Sequence, residues 1–162
     1  MAPVLSFTAE EIWAIAGDSE SVMLTTPHRL PPGADEAALI ARWQCIREFK
    51  GETTKALEGL REAGKIGSSL QAEVDVKASG ARFDALASLG DDLRFVLVCS
   101  KASLTRVDSE DAQSIVATPT AQSKCARCWH WRADVGHDAA HPELCGRCTA
   151  NLFGAGEARS AA

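Results

Sequence analysis

KCARCWHWRADVGHDAAHPELCGRC, residues 124–148, holds four cysteines as two C-x2-C pairs with sixteen residues between them. Each C-x2-C turn sets two thiolates on one side of a tight knuckle. Two knuckles brought together offer four sulfurs at the corners of a tetrahedron, the arrangement Zn²⁺ prefers. Cys125, Cys128, Cys145 and Cys148 are therefore the expected ligands of one structural zinc ion. All four corners are thiolate, so no position is left for a reactive water. Two disulfides are the plain alternative, but a reducing compartment keeps thiols free. A thioredoxin-like redox pair fits poorly with a short tail lacking strands, and spacing alone does not separate zinc from an Fe(Cys)4 centre.

The need for such a staple is physical. Residues 121–162 have few large apolar side chains, namely Trp129, Trp131, Val135, Leu144, Leu152 and Phe153. A segment this poor in core does not fold on burial alone, and zinc binding contributes on the order of 10–16 kcal/mol. Arg127 and Arg147 each precede the second cysteine of a knuckle. Four thiolates on Zn²⁺ leave a double negative charge, which a guanidinium offsets; phosphate binding is the other use of such an arginine. Trp129-His130-Trp131-Arg132 interleaves aromatic and basic groups, as a base-stacking surface does. Here Trp129 is expected in the core of the finger, with Trp131 or Arg132 exposed. His130, His137 and His141 are expected at the surface rather than on the metal.

Upstream, 162 residues with 46% hydrophobic and 24% charged side chains make a globular chain rather than a disordered one. No apolar run approaches the length of a membrane span, and MAPVLSFTAEEIW lacks the pattern of a signal peptide, so a cytoplasmic location is expected. The net charge of −5 excludes a nucleic-acid grip based on overall basicity and leaves room only for local basic sites. Cys45 and Cys99 stand alone in apolar surroundings and read as small buried hydrophobes.

TAEEIWAIA at 8–16 predicts a short helix, capped by Thr8 with Glu11 and stopped by Gly17; HRLPPG at 28–33 reads as a linker. Leu39, Trp43, Ile46, Phe49, Thr53, Leu57 and Leu60 recur every three or four residues and predict one long helix over 35–63. Asp35 is its cap, Gly64 its stop, and Gly51 a point where it could kink. Its other face holds Arg47, Lys50 and Arg61, a solvated face or one that tracks an RNA backbone. LQAEVDVKA at 70–78 alternates strictly and predicts a half-buried strand. ARFDALASL at 81–89 reads as a short helix, RFVLVC at 94–99 as a buried strand parallel to the first, and SIVAT at 114–118 as a third strand.

These stretches together resemble the C-terminal part of bacterial isoleucyl-tRNA synthetases, class I aminoacyl-tRNA ligases. LSFTAEEIW at 5–13 resembles the last part of their helical anticodon-binding domain. REFKGETTKALEGLREAGKIGSSLQAEV at 47–74 resembles the long helix, turn and strand that follow, and residues 124–148 resemble their C-terminal zinc finger. The resemblance implies an α+β chain in three parts. These are the end of the helical anticodon-binding domain at 1–66, a small mixed α/β junction subdomain at 67–120, and a zinc-binding finger at 121–162. It implies tRNA for isoleucine and the catalytic domain of the parent enzyme as partners, with no DNA. Arg47, Lys50, Arg61, Arg127, Trp131, Arg132 and Arg147 are the candidate RNA contacts. The parent reaction attaches isoleucine to its tRNA with ATP and edits valine, since one methylene discriminates too weakly by binding. The His-Ile-Gly-His and Lys-Met-Ser-Lys-Ser types of signature are missing from the sequence, so no catalysis is expected from this chain by itself, and Met1 would fall inside the parent protein, as in a fragment or split gene product. TTPHRLP at 25–31 departs from the Trp-Pro ending expected in the family. A stand-alone nucleic-acid-binding or protein-docking module is the alternative, and the tail of a DNA-repair glycosylase a weaker one, because Pro3 rather than position 2 carries the early proline.

Overall fold

The structure, a computed structural model, describes residues 2–16, 20–26, 29–33 and 35–157. Gly17, Pro27 and His28 lie outside the described residues. The chain forms two compact units, Met1–Glu36 and Ala37–Ala162.

In the first unit, helix α1 (Ser6–Ala16) begins three residues earlier than its capping box suggests. Thr8 sits inside the helix and does not cap it, whereas Ser6 Oγ donates to the Ala2 carbonyl at 3.1 Å. Ala9 is buried and Trp13 half-buried, but Ile12 and Ile15 are exposed, so the described residues cover only part of the expected apolar face. Glu10 accepts from Ser21 Oγ at 3.1 Å and from the Val22 amide at 3.2 Å, which ties the helix to a 3-10 turn over Val22–Leu24.

In the second unit, α2 (Glu36–Glu62, all but its first residue in this unit) forms as its periodicity predicts. Ile46, Phe49, Thr53 and Leu57 are buried, and Cys45 and Leu60 pack at the edge of the same cluster. At its end Gly64 takes φ +67°, which only glycine adopts freely. The Gly64 amide then reaches the Arg61 carbonyl (2.9 Å) and the Lys65 amide the Leu60 carbonyl (2.9 Å), closing a Schellman motif. Leu39, Ile40 and Trp43 continue the apolar stripe toward the N-terminus of α2 but are exposed.

Helix α2 packs on a three-stranded sheet with β1 (Ala72–Ala78) at its centre, between β2 (Lys101–Arg106) and β3 (Ser114–Pro119). The central strand β1 (Ala72–Ala78) buries Ala72, Val74, Val76 and Ala78, as strict alternation requires. Leu70 precedes it in a 3-10 turn. From β1 the chain runs through α3 (Gly80–Ala87) and α4 (Leu93–Leu97) to β2 (Lys101–Arg106), which pairs with β1 in parallel, Val74 opposite Ala102. β3 (Ser114–Pro119) returns antiparallel on the other side of β1, Val74 opposite Ala117. No helix among the described residues is long and apolar enough to cross a membrane.

A further expectation fails. RFVLVC at 94–99 is not a strand; residues up to Leu97 form α4, and the parallel partner of β1 starts only at Lys101. Leu93 and Leu97, four apart, are both buried, so the apolar run is satisfied by one helical turn facing the core. Val98 then takes φ +58°, a left-handed conformation unusual for a β-branched residue, and the Cys99 amide bonds to the Arg94 carbonyl at 3.0 Å. Cys99 is fully buried, and desolvation pushes its thiol up to about 12, which keeps it a neutral packing group.

Phe49 is the largest fully buried side chain and sits where α2 meets the sheet. Phe49→Ala should lower the stability of this unit by about 3–5 kcal/mol. A shift of the denaturant midpoint, with zinc content unchanged, is the expected readout.

Candidate metal centre

The finger starts from a short hairpin, β4 (Ser123–Lys124) against β5 (Trp131–Arg132). Between these strands the first knuckle turns tightly: the Cys125 amide bonds to the His130 carbonyl (2.9 Å) and the Trp129 amide to the Cys125 carbonyl (3.0 Å). The second knuckle is the start of α5 (Gly146–Phe153), with Cys145 as its N-cap and Cys148 in its first turn. The Ala126 amide on the Glu143 carbonyl (3.0 Å) and the Gly136 amide on the Leu144 carbonyl (3.1 Å) join the two halves.

All four cysteine sulfurs lie within 4.8 Å of one another, three of them on fully buried residues. Cys128 and Cys145 Sγ are 3.7 Å apart. A tetrahedron with Zn–S of about 2.3 Å has edges of about 3.8 Å, so the donors are near enough to converge on one ion. A disulfide needs about 2.05 Å, and all four cysteines are free thiols.

The surroundings are built for negative charge on sulfur. The Cys145 amide donates to Cys125 Sγ (3.4 Å), and Arg127 Nη1 lies 3.6 Å from Cys148 Sγ. Burial opposes ionisation of Cys125, but amides around it outweigh burial and lower its thiol to about 6. Burial raises Cys128, and it raises Cys145 to about 12, with the neighbouring sulfurs adding to the effect. Without metal the cluster thus accepts one thiolate readily and resists the next; a dication removes that resistance.

Asp134 links the second knuckle to the hairpin. It accepts from Arg132 Nε (2.9 Å) and from the Gly146 amide (3.0 Å). Burial works against its charge, yet Arg132 and the amide hold the carboxyl below its usual value. His130 is not a ligand: one ring nitrogen, Nδ1, lies 3.1 Å from the Cys128 carbonyl, and burial lowers its pKa. His137 is exposed, and His141 stacks on Phe153 at 3.8 Å.

The two arginines of the knuckles differ. Arg127 meets sulfur as expected. Arg147 instead pairs with Glu157 (Nη2 to Oε1, 2.9 Å) and lies over the Phe95 ring at 4.9 Å. The tryptophans are reversed from expectation: Trp129 is 62% exposed and Trp131 is half-buried, so Trp129 is not the core of the finger. Trp129 adopts φ +64° to leave the knuckle, which turns its ring outward, with Lys124 Nζ 5.3 Å from the ring centre. Sequence composition marked the aromatic pair, but only the knuckle's handedness says which ring is free. Of the helix candidates, Arg47 and Lys50 are exposed with no ion pair among the described residues, whereas Arg61 is engaged by Glu58 at 2.8 Å.

A family profile described as the zinc finger found in FPG and IleRS matches residues 122–151. That match alone leaves both the glycosylase and the synthetase reading open. The rest of the chain separates them. It is 56% identical over 162 residues to the isoleucine–tRNA ligase of Aromatoleum aromaticum, covering 99% of this chain and 17% of that protein. It matches the C-terminal region of bacterial isoleucine–tRNA ligases. The isoleucine–tRNA ligase of Paraburkholderia xenovorans is 55% identical over 163 residues, with 100% of this chain and again 17% of the relative covered, and that of Azoarcus sp. BH72 is 53% identical. The chain thus spans about one sixth of the length of these curated relatives. With the finger of this family and a four-sulfur cluster of the right size, the cofactor is a single structural Zn²⁺.

Zinc binding should release protons from Cys128 and Cys145, whose thiols are raised. Affinity should therefore climb with pH between pH 6 and 8, by at least about two decades per unit, measured by competition with a chromogenic chelator. Protonation also removes the stabilising charge of Asp134 as pH falls through its depressed value, so acid weakens the finger in the same direction. Asp134→Ala should lower zinc affinity by about 10–100-fold with one ion per chain still bound at saturation.

Proposed function

We propose that this chain is the tRNA-holding, zinc-stabilised C-terminal portion of an isoleucine–tRNA ligase. The observation that carries the reading is Trp129, an exposed indole fixed beside a rigid metal knuckle with a lysine over its face. An aromatic plane held out of its own core stacks an unpaired base, and the adjacent cation meets the backbone phosphate. Arg127, exposed on the same knuckle, adds positive charge there while it serves the sulfur. Arg47 and Lys50, three residues apart on α2, offer a second site for phosphate.

In the whole enzyme the reaction would be ATP-dependent attachment of isoleucine to its tRNA, carried out by a catalytic body that would be the second partner of this chain. The exposed stripe of Leu39, Ile40 and Trp43 on α2 supports such a contact, since three large apolar side chains on one helical face favour a protein neighbour. The finger itself closes its metal with four thiolates and contributes no reacting group, so its contribution is to hold and orient RNA.

Filter binding of the zinc-loaded chain to a transcript of isoleucine tRNA tests this. Affinity should fall steeply with salt, as phosphate contacts require. Trp129→Ala should weaken binding by about tenfold while the zinc content stays at one. Equal affinity for unrelated RNAs, or no effect of the tryptophan, would refute the proposal.

A further inference from the structure

The four sulfurs of the metal centre are not equally placed. Cys125, Cys145 and Cys148 are fully buried, whereas Cys128 is half-buried, where the first knuckle turns out toward Trp129. Cys128 is therefore the ligand that a small solute meets without opening the finger.

Hydrogen-bond donors divide the four in a second way. The Cys145 amide donates to Cys125 Sγ at 3.4 Å, and Arg127 Nη1 donates to Cys148 Sγ at 3.6 Å. A donor on a thiolate draws electron density from the sulfur and slows its attack on an electrophile. Cys128 Sγ and Cys145 Sγ face each other at 3.7 Å, across the two knuckles. Four thiolates around a dication carry a double negative charge, and of the two knuckle arginines only Arg127 meets a sulfur, since Arg147 is bound to Glu157. Such an electron-rich cluster reacts with a neutral electrophile at its most accessible sulfur.

From these placements we infer that Cys128 is an oxidation site, at which hydrogen peroxide converts the finger from its zinc-bound form to a Cys128–Cys145 disulfide without metal. The Cys128 sulfur attacks one peroxide oxygen, the O–O bond breaks, hydroxide leaves, and Cys128 becomes a sulfenic acid. The Cys145 sulfur then attacks the Cys128 sulfur; the S–S bond forms and a second hydroxide leaves. Two thiolates have lost two electrons, one peroxide has gained them, and two protons from solvent turn the hydroxides into water. Two sulfurs of four remain, too few to keep the ion.

The finger has no other core to fall back on. Its buried cluster holds the cysteines, with Val135 and Leu144 packed against them. The hairpin of β4 and β5 loses its anchor, and with it the bond that fastens it to the sheet. There Ser100 Oγ, just ahead of β2, donates to the Leu70 carbonyl and accepts from the Trp131 amide at 2.6 Å. The sheet keeps its own apolar core, in which Cys99 lies fully buried, out of reach of peroxide. This device goes beyond the RNA-holding role proposed above. It needs only the zinc centre and stands whether or not the chain holds RNA.

The test treats the zinc-loaded full chain with hydrogen peroxide and follows the metal with a chromogenic chelator. Remaining thiols are then alkylated and the disulfides mapped on tryptic peptides. Cleavage after Lys124, Arg127, Arg132 and Arg147 puts each of the four cysteines on its own peptide. At the start one ion should leave for each peroxide consumed, the first disulfide should join the Cys128 and Cys145 peptides, and dithiothreitol with added zinc should restore the bound ion. Cys45, half-buried at the rim of the apolar core, is the control: Cys45→Ala should respond as the unaltered chain does. Arg127→Ala strips the donor from Cys148 and should bring a Cys128–Cys148 link into the products. Retention of zinc while Cys45 is oxidised would overturn the inference. So would a first disulfide within one knuckle, sulfinic acid at Cys128 in place of a disulfide, or products that Arg127→Ala leaves unchanged.

Discussion

The attraction of four thiolate sulfurs for one dication governs the C-terminal part of this molecule. The cluster of Cys125, Cys145 and Cys148 with Cys128 is the only buried nucleus of the finger among the described residues, flanked by no more than Val135 and Leu144. A protein of this size ordinarily gains its stability from apolar area removed from water. Here a few hydrophobic contacts leave the segment far short of the conformational entropy it must overcome, and metal coordination supplies the difference. The amide on Cys125, the guanidinium near Cys148 and the Asp134 bridge all serve to hold concentrated charge at fixed geometry.

The sheet unit works in the opposite way. Its core is apolar and continuous, from Ile46 and Phe49 on α2 through Val74 and Val76 on β1 to Leu86, Leu93 and Leu97. Charge appears there only at the rim, in pairs such as Arg82 with Glu52 and Arg106 with Asp84, which contribute little to stability when exposed. The two kinds of structure meet at Phe95, whose ring is approached by His130 edge-on at 5.3 Å and by Arg94 and Arg147 at 4.7 and 4.9 Å. One aromatic side chain from the sheet unit thus seats the finger.

Sequence alone revealed α2, β1, β3 and the metal cluster, because each rests on a strong period or spacing. It misread 94–99 because a short apolar run serves a helix turn and a buried strand equally well. The true partner strand, KASLTR, was invisible for a related reason. It lies at the sheet edge, half exposed, and is held by backbone pairing to β1 rather than by an apolar pattern. The capping box at Thr8 had the right residues at the wrong turn. At the site, ligand identity was legible and ring orientation was not, since a left-handed residue at Trp129 follows from knuckle geometry and not from side-chain type.

The hydroxyl of Ser100 grips the finger through a main-chain amide and ignores the indole attached to it. Such a joint is blind to residue identity at position 131, proline excepted, because proline alone lacks the hydrogen. Docking is thereby uncoupled from side-chain chemistry at a single residue. Evolution is free to exchange that ring for another without loosening the seam that holds the two halves together.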